Sequence, residues 1–90
     1  MIKTINLTAM DLLSEEYLPL DFNKLVRLKN CKICNEDKGG YLSFIYFRTD
    51  KSKITITIRE SGKVFLFGLR TLDEGELYLN KIKTEIKRLT

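Results

Sequence analysis

Six residues restrict this chain more than any others: Ile54-Thr55-Ile56-Thr57-Ile58-Arg59 alternates apolar and polar side chains without a break. A period of two makes a β-strand with one greasy and one polar face. Such a strand needs neighbours in a sheet and apolar cover on one side. Glu60-Ser61-Gly62 then reads as a hairpin turn in which Gly takes positive φ, and Lys63–Phe67 returns as the next strand, stopped by Gly68. Upstream, Tyr41–Thr49 is rich in aromatic and β-branched residues and is joined through the turn Asp50-Lys51-Ser52.

The flanks add two helices and two more strands. Thr71-Leu72-Asp73-Glu74 is a capping box, in which the Thr71 hydroxyl bonds the backbone three residues on and Glu74 reaches back to the Thr71 amide. Asp73, Glu74 and Glu76 sit at the positive end of this helix, with Lys81, Lys83, Lys87 and Arg88 toward its negative end. Leu72, Leu79, Ile82, Ile86 and Leu89 supply its buried stripe. A short helix over residues 20–28 starts at Asp21 and lines one face with Phe22, Leu25 and Val26. Ile2, Thr4 and Asn6 alternate with Lys3, Ile5 and Leu7 in a first strand, and Cys31–Asn35 is the second, closed by Gly39-Gly40. Residues 9–19 form a mixed stretch with a helical turn around Asp11–Tyr17. The expected order is strand, helix, four strands, long helix. That is a single α+β domain over residues 1–90, an antiparallel five-stranded sheet with both helices on one face.

Composition excludes several function classes. Ninety residues support one core, and at 43% hydrophobic and 31% charged the chain is too apolar for intrinsic disorder. No apolar run approaches the ~18 residues that span a bilayer, and no signal-type apolar core follows Met1–Asn6, so no membrane contact and an intracellular location, prokaryotic cytoplasm or nucleus, are expected. Histidine is absent, which removes the commonest general base and metal ligand. Cys31 and Cys34 form a C-x-x-C without a second pair, which reads as two half-buried thiols in a short strand, a zinc site shared by two copies being the alternative. No glycine motif cradles phosphate and the acids are scattered, so neither an enzyme nor a cofactor is expected.

The element order and several local runs resemble one repeat of the TATA-binding protein family. Ile58–Gly68 looks like that family's hairpin, in which Ser-Gly-Lys opens the last strand and Gly closes it. Thr71-Leu72-Asp73-Glu74 stands where the family caps its long helix. Ile45-Tyr46-Phe47-Arg48, Leu20–Leu25 and Thr4-Ile5-Asn6-Leu7 match a strand, the short helix and the first strand. The resemblance implies a curved sheet with helices on its convex side, half of a saddle whose concave side sits on the DNA minor groove. The second repeat is missing, so it further implies a homodimer paired through the first strand at Ile2, Thr4 and Asn6. Aligned from Ser61-Gly62-Lys63, the family's two wedge positions fall on Leu42 and Arg59, and its small groove-facing residues become Phe65 and Phe67. Other transcription factors would meet the outer helices, where Lys81, Lys83, Lys87 and Arg88 lie; the bland reading of these cations is a solvated helix face.

Charge and alternation point to the same partner. The net charge of +4 sits wholly in residues 41–90, because residues 1–40 balance Lys3, Lys24, Arg27, Lys29, Lys32 and Lys38 against Asp11, Glu15, Glu16, Asp21, Glu36 and Asp37. A basic half suits an anionic polymer. With the isoleucines of 54–58 against the helices, alternation turns Ile45, Phe47, Val64 and Leu66 inward. It turns Leu42, Phe44, Tyr46, Arg48, Thr55, Thr57, Arg59, Lys63, Phe65 and Phe67 outward as a DNA-binding face of cations and aromatics without an acid. The expectation is therefore a homodimeric, single-repeat DNA-binding protein acting in transcription initiation or its regulation. A protein-interaction module of the same fold is the alternative, and a similar fold also serves as a hybrid-binding domain attached to some ribonucleases H.

Overall fold

The structure, a computed structural model, describes residues 7–34 and 40–89. In chain order the elements are β1 (Leu7–Leu12), a turn of 3-10 helix (Glu15–Tyr17), α1 (Phe22–Leu25), β2 (Cys31–Cys34), β3 (Tyr41–Phe47), β4 (Lys53–Arg59), β5 (Lys63–Leu69) and α2 (Leu72–Leu89). The strands form one sheet in the order β1-β5-β4-β3-β2, every pair antiparallel. The α+β architecture, a five-stranded antiparallel sheet and two helices, is therefore as the sequence implies. No helix among the described residues is long and apolar enough to cross a membrane.

One face of the sheet is the core. Ile54, Ile56, Ile58, Val64 and Leu66 are essentially inaccessible and pack with Leu25 of α1 and Tyr78, Leu79, Ile82 and Ile86 of α2. Fully burying an aliphatic side chain of this size is worth roughly 1.5–3 kcal/mol, so this layer sets which way the sheet faces. Asp21 caps α1 by accepting from the Lys24 amide at 3.2 Å.

Both central hairpins use the same turn. The Gly62 amide donates to the Arg59 carbonyl at 2.9 Å with Gly62 at φ +95°. The Lys51 amide donates to the Arg48 carbonyl at 3.0 Å with Lys51 at φ +71°. A turn ending in a left-handed residue is the usual three-residue hairpin connection. Glycine meets that demand freely; Lys51 meets it beside Asp50, whose carboxylate accepts from the Ser52 amide and hydroxyl.

Several expectations are corrected. The strand paired with β5 is Leu7–Leu12, so residues 9–12 of the expected mixed stretch are sheet, and the helical turn is confined to Glu15–Tyr17. Ile2, Thr4 and Asn6, expected as a dimer edge, lie outside the described residues. Leu72 is 71% exposed and Tyr78 takes its place in the core. Half of the expected capping box forms, the Glu74 amide donating to the Thr71 hydroxyl at 3.1 Å. The Glu74 carboxylate instead accepts from the Arg70 amide at 2.9 Å.

The largest correction concerns β3. Its register pairs Leu42 with Ile58, Phe44 with Ile56 and Tyr46 with Ile54. Residues directly opposite in an antiparallel pair share a face. Leu42 and Phe44 are accordingly buried to 0% exposure, and Tyr46 packs its ring on Tyr78 at 5.6 Å. Ile45 and Phe47 face the other way. The turn carries the reason: an odd-numbered loop joins even residues to even residues, whereas the outward assignment of Leu42, Phe44 and Tyr46 needs odd to meet even.

Candidate nucleic-acid interface

The sheet face that the helices leave uncovered is the candidate site. It is built by the residues that alternate with the core: Met10 and Leu12 of β1, Lys63, Phe65 and Phe67 of β5, Lys53, Thr55, Thr57 and Arg59 of β4. Tyr41, Ser43, Ile45 and Phe47 of β3 and Lys32 and Cys34 of β2 complete it. Thr55, Thr57, Arg59, Lys63, Phe65 and Phe67 thus stand where alternation puts them.

Gly68 shapes one end of this face. The register between β1 and β5 shifts from Ala9 opposite Leu66 to Leu7 opposite Leu69. Gly68, at φ +82°, lies in that bulge, where a Cβ would meet the Lys53 carbonyl oxygen at 3.0 Å. The extra residue returns Leu69 to the core at 0% exposure and leaves Phe67 on the uncovered side.

Arg48 is removed from the site by its own hydrogen bonds. Its guanidinium donates to both Glu74 carboxylate oxygens, to the Ser52 hydroxyl at 3.0 Å and to the Gly68 carbonyl at 2.6 Å. Its side chain is 10% exposed. It ties the β3–β4 turn to β5 and to the start of α2, and does not project into solvent. The same pair holds the Glu74 carboxyl down to about 2, mainly through the Arg48 hydrogen bonds. Leu42, Phe44, Tyr46 and Arg48 are therefore structural.

Four cations remain: Lys32, Lys53, Arg59 and Lys63, all exposed. None of them pairs with a carboxylate among the described residues. Arg59 lies over the Tyr41 ring, 5.8 Å from its centroid. Phe65 and Phe67 stack along β5 with ring centroids 6.4 Å apart. Tyr41 and Phe47 complete a set of four aromatics, and no described strand position of this face is acidic. The outward set expected from the sequence omits Lys53, Tyr41 and Phe47, although hairpin arithmetic on the three-residue turn recovers the two aromatics and alternation from Thr55 recovers Lys53. Nothing in the sequence pointed to Met10 and Leu12, exposed at 69% and 62%.

The cysteines do not converge. Cys31 pairs with Phe44 on the core side and Cys34 with Tyr41 on the uncovered side. Three residues apart in a strand means opposite faces. Burial pushes the Cys31 thiol up to about 12, with proximity to Cys34 adding to it.

Comparison with family models, with curated proteins and with solved structures finds no match to this chain.

Proposed function

We propose that this chain is a single-repeat relative of the TATA-binding protein that docks the uncovered face of its sheet on duplex DNA, in the minor groove, and acts in transcription initiation or its regulation. One observation carries the reading: among the described residues, this sheet face has four cations without a carboxylate partner, four aromatics and no acidic strand residue, in a chain with 12 acids. Cations meet phosphates and fix orientation, while apolar groups press on sugars and base edges. The element order supports the kinship, as does a sheet with β1 at one edge beside β5. An edge strand invites pairing, and a second copy along β1 would set two such faces side by side in a homodimer.

Mobility shifts of labelled duplex, single strand and RNA–DNA hybrid at two salt concentrations test the proposal. The expected result is duplex retarded at low salt and released as salt rises. In the Arg59→Ala/Lys63→Ala double variant the dependence of log affinity on log salt should be shallower by about 1 for each phosphate that is no longer neutralised. Absence of binding to any polymer at low salt would favour a protein-interaction module. The exposure of Met10 (69%), Leu12 (62%) and Phe47 (68%) is the observation on its side.

A further inference from the structure

β2 has four residues and β3 seven, so the sheet ends in a step. The last paired residues are Cys31 and Phe44. Beyond them Asn30 closes the ladder with its own polar groups. Its carbonyl accepts from the Ile45 amide at 3.1 Å and its side-chain amide donates to the Ile45 carbonyl at 3.1 Å. Both backbone groups of Ile45 are thus satisfied without a strand, and the outward side chains of Ile45 and Phe47 lie beyond the end of β2 at the step.

An open groove with about 340 Å³ of space lies there. Ile45 and Phe47 give it apolar walls, Ser43 a hydroxyl, Asn30 an amide, and Lys29 and Lys32 a cationic rim; no carboxylate among the described residues lines it. Lys53 stands directly across from Phe47 in β4. Volumes of this order hold small organic ligands. A flat apolar wall, a few polar groups and a rim of one sign match a nucleobase with its phosphates: the ring stacks, its edge bonds, and the backbone meets the lysines.

We propose that this step binds one unpaired nucleobase of a single-stranded nucleic acid, stacked on Phe47, with the flanking phosphates against Lys29, Lys32 and Lys53. The base must be unpaired, because a base inside a duplex has both ring faces covered by its neighbours. The inference rests on the reading of the uncovered face as a nucleic-acid surface and adds to it a subsite for single strands, such as those bordering an opened duplex.

Fluorescence anisotropy with labelled oligo(dT), oligo(U) and a duplex of the same length tests it in the full chain. Phe47→Ala should weaken single-strand binding about ten-fold and duplex binding by a clearly smaller factor, since Phe47 is one of four aromatics on the duplex face but the whole stacking platform of the step. Phe47→Tyr should retain both, since stacking depends on the ring. Weaker binding to oligo(dT) or to oligo(U) supports the proposal, and the comparison of the two shows whether the 2′-hydroxyl contributes. Lys63→Ala, away from the step, should weaken duplex and single strand alike. Unchanged single-strand affinity in Phe47→Ala, or equal losses on duplex and single strand, would overturn the subsite while leaving the duplex reading in place. A wild-type chain that binds no polymer would overturn both. Because Phe47 is 68% exposed, the Ala variant should melt at the wild-type temperature.

Discussion

The two faces of this sheet are made by the same strands, residue by residue in alternation, yet they obey different rules. On the covered face Leu42, Phe44, Ile54, Ile56, Ile58 and Val64 are all at 0% exposure. On the other, Phe47 and Phe67 are 68% and 41% exposed, and the cations have no carboxylate partner among the described residues. The charged groups that fold the protein are found at the margin of the covered face, where Arg48 and Glu74 satisfy each other and the turn around them. Aromatic residues on one face are therefore core, and aromatic residues on the other lie on the uncovered surface. The distinction rests on strand register and not on residue type.

The sharpest way to break this contrast is to truncate one aromatic on each face of β3. Phe44→Ala should cost about 3–5 kcal/mol in urea unfolding, the range for emptying a buried aromatic site. Phe47→Ala should stay within about 0.5 kcal/mol of wild type, as for an exposed position. A reversal of the two would mean that β3 is turned the other way.

Next in size is the margin. Arg48→Ala should cost about 2–3 kcal/mol by the same measurement, because the Glu74 carboxylate and the Gly68 carbonyl lose their charged donor together. The pH dependence follows from the direction of the Glu74 shift. Its folded value, about 2, lies below the ordinary carboxylate value, so the pair's contribution is complete above about pH 4.5. It is lost as pH falls toward 2. Asp50, held low by Ser52 and then Arg70, titrates in the same direction, so the clean comparison is an acid titration of stability in wild type against Glu74→Gln. The variant should lose the part of the slope that belongs to Glu74. Identical slopes would detach the Arg48–Glu74 pair from stability.

The smallest stability effect is expected on the uncovered face. Phe65→Ser with Phe67→Ser should cost about 1–2 kcal/mol together, well short of Phe44→Ala alone, while weakening duplex binding about ten-fold in mobility shifts. A collapse in thermal stability would place these rings in a core or a stable dimer contact.

Much of this was legible in the sequence, and the failures have physical causes. β4 alternates strictly, so its faces could be read directly, and Asp21 and Thr71 announced their helices because caps are local chemistry. β3 could not be read by alternation: Tyr41–Phe47 is apolar on both sides, with only Ser43 to mark the difference. Its register is fixed by the turn, and the number of residues in that turn was the signal that decided it. β1 was hidden for the opposite reason. Two of its three large apolar side chains, Met10 and Leu12, point away from the core, while Asp11 falls on the covered side opposite Val64. Arg48 looked like a ligand-binding cation because its acidic partner, Glu74, is 26 positions away on another element.

Methyl resonances separate the two faces in one experiment. On titrating a short duplex into the labelled protein at low salt, the methyls of Met10, Leu12 and Ile45 should shift or broaden while those of Ile54, Ile56 and Ile58 stay in place. Shifts confined to Leu72 and Leu77 on the outer side of α2, or no shifts at all, would contradict the assignment of nucleic-acid binding to the uncovered face.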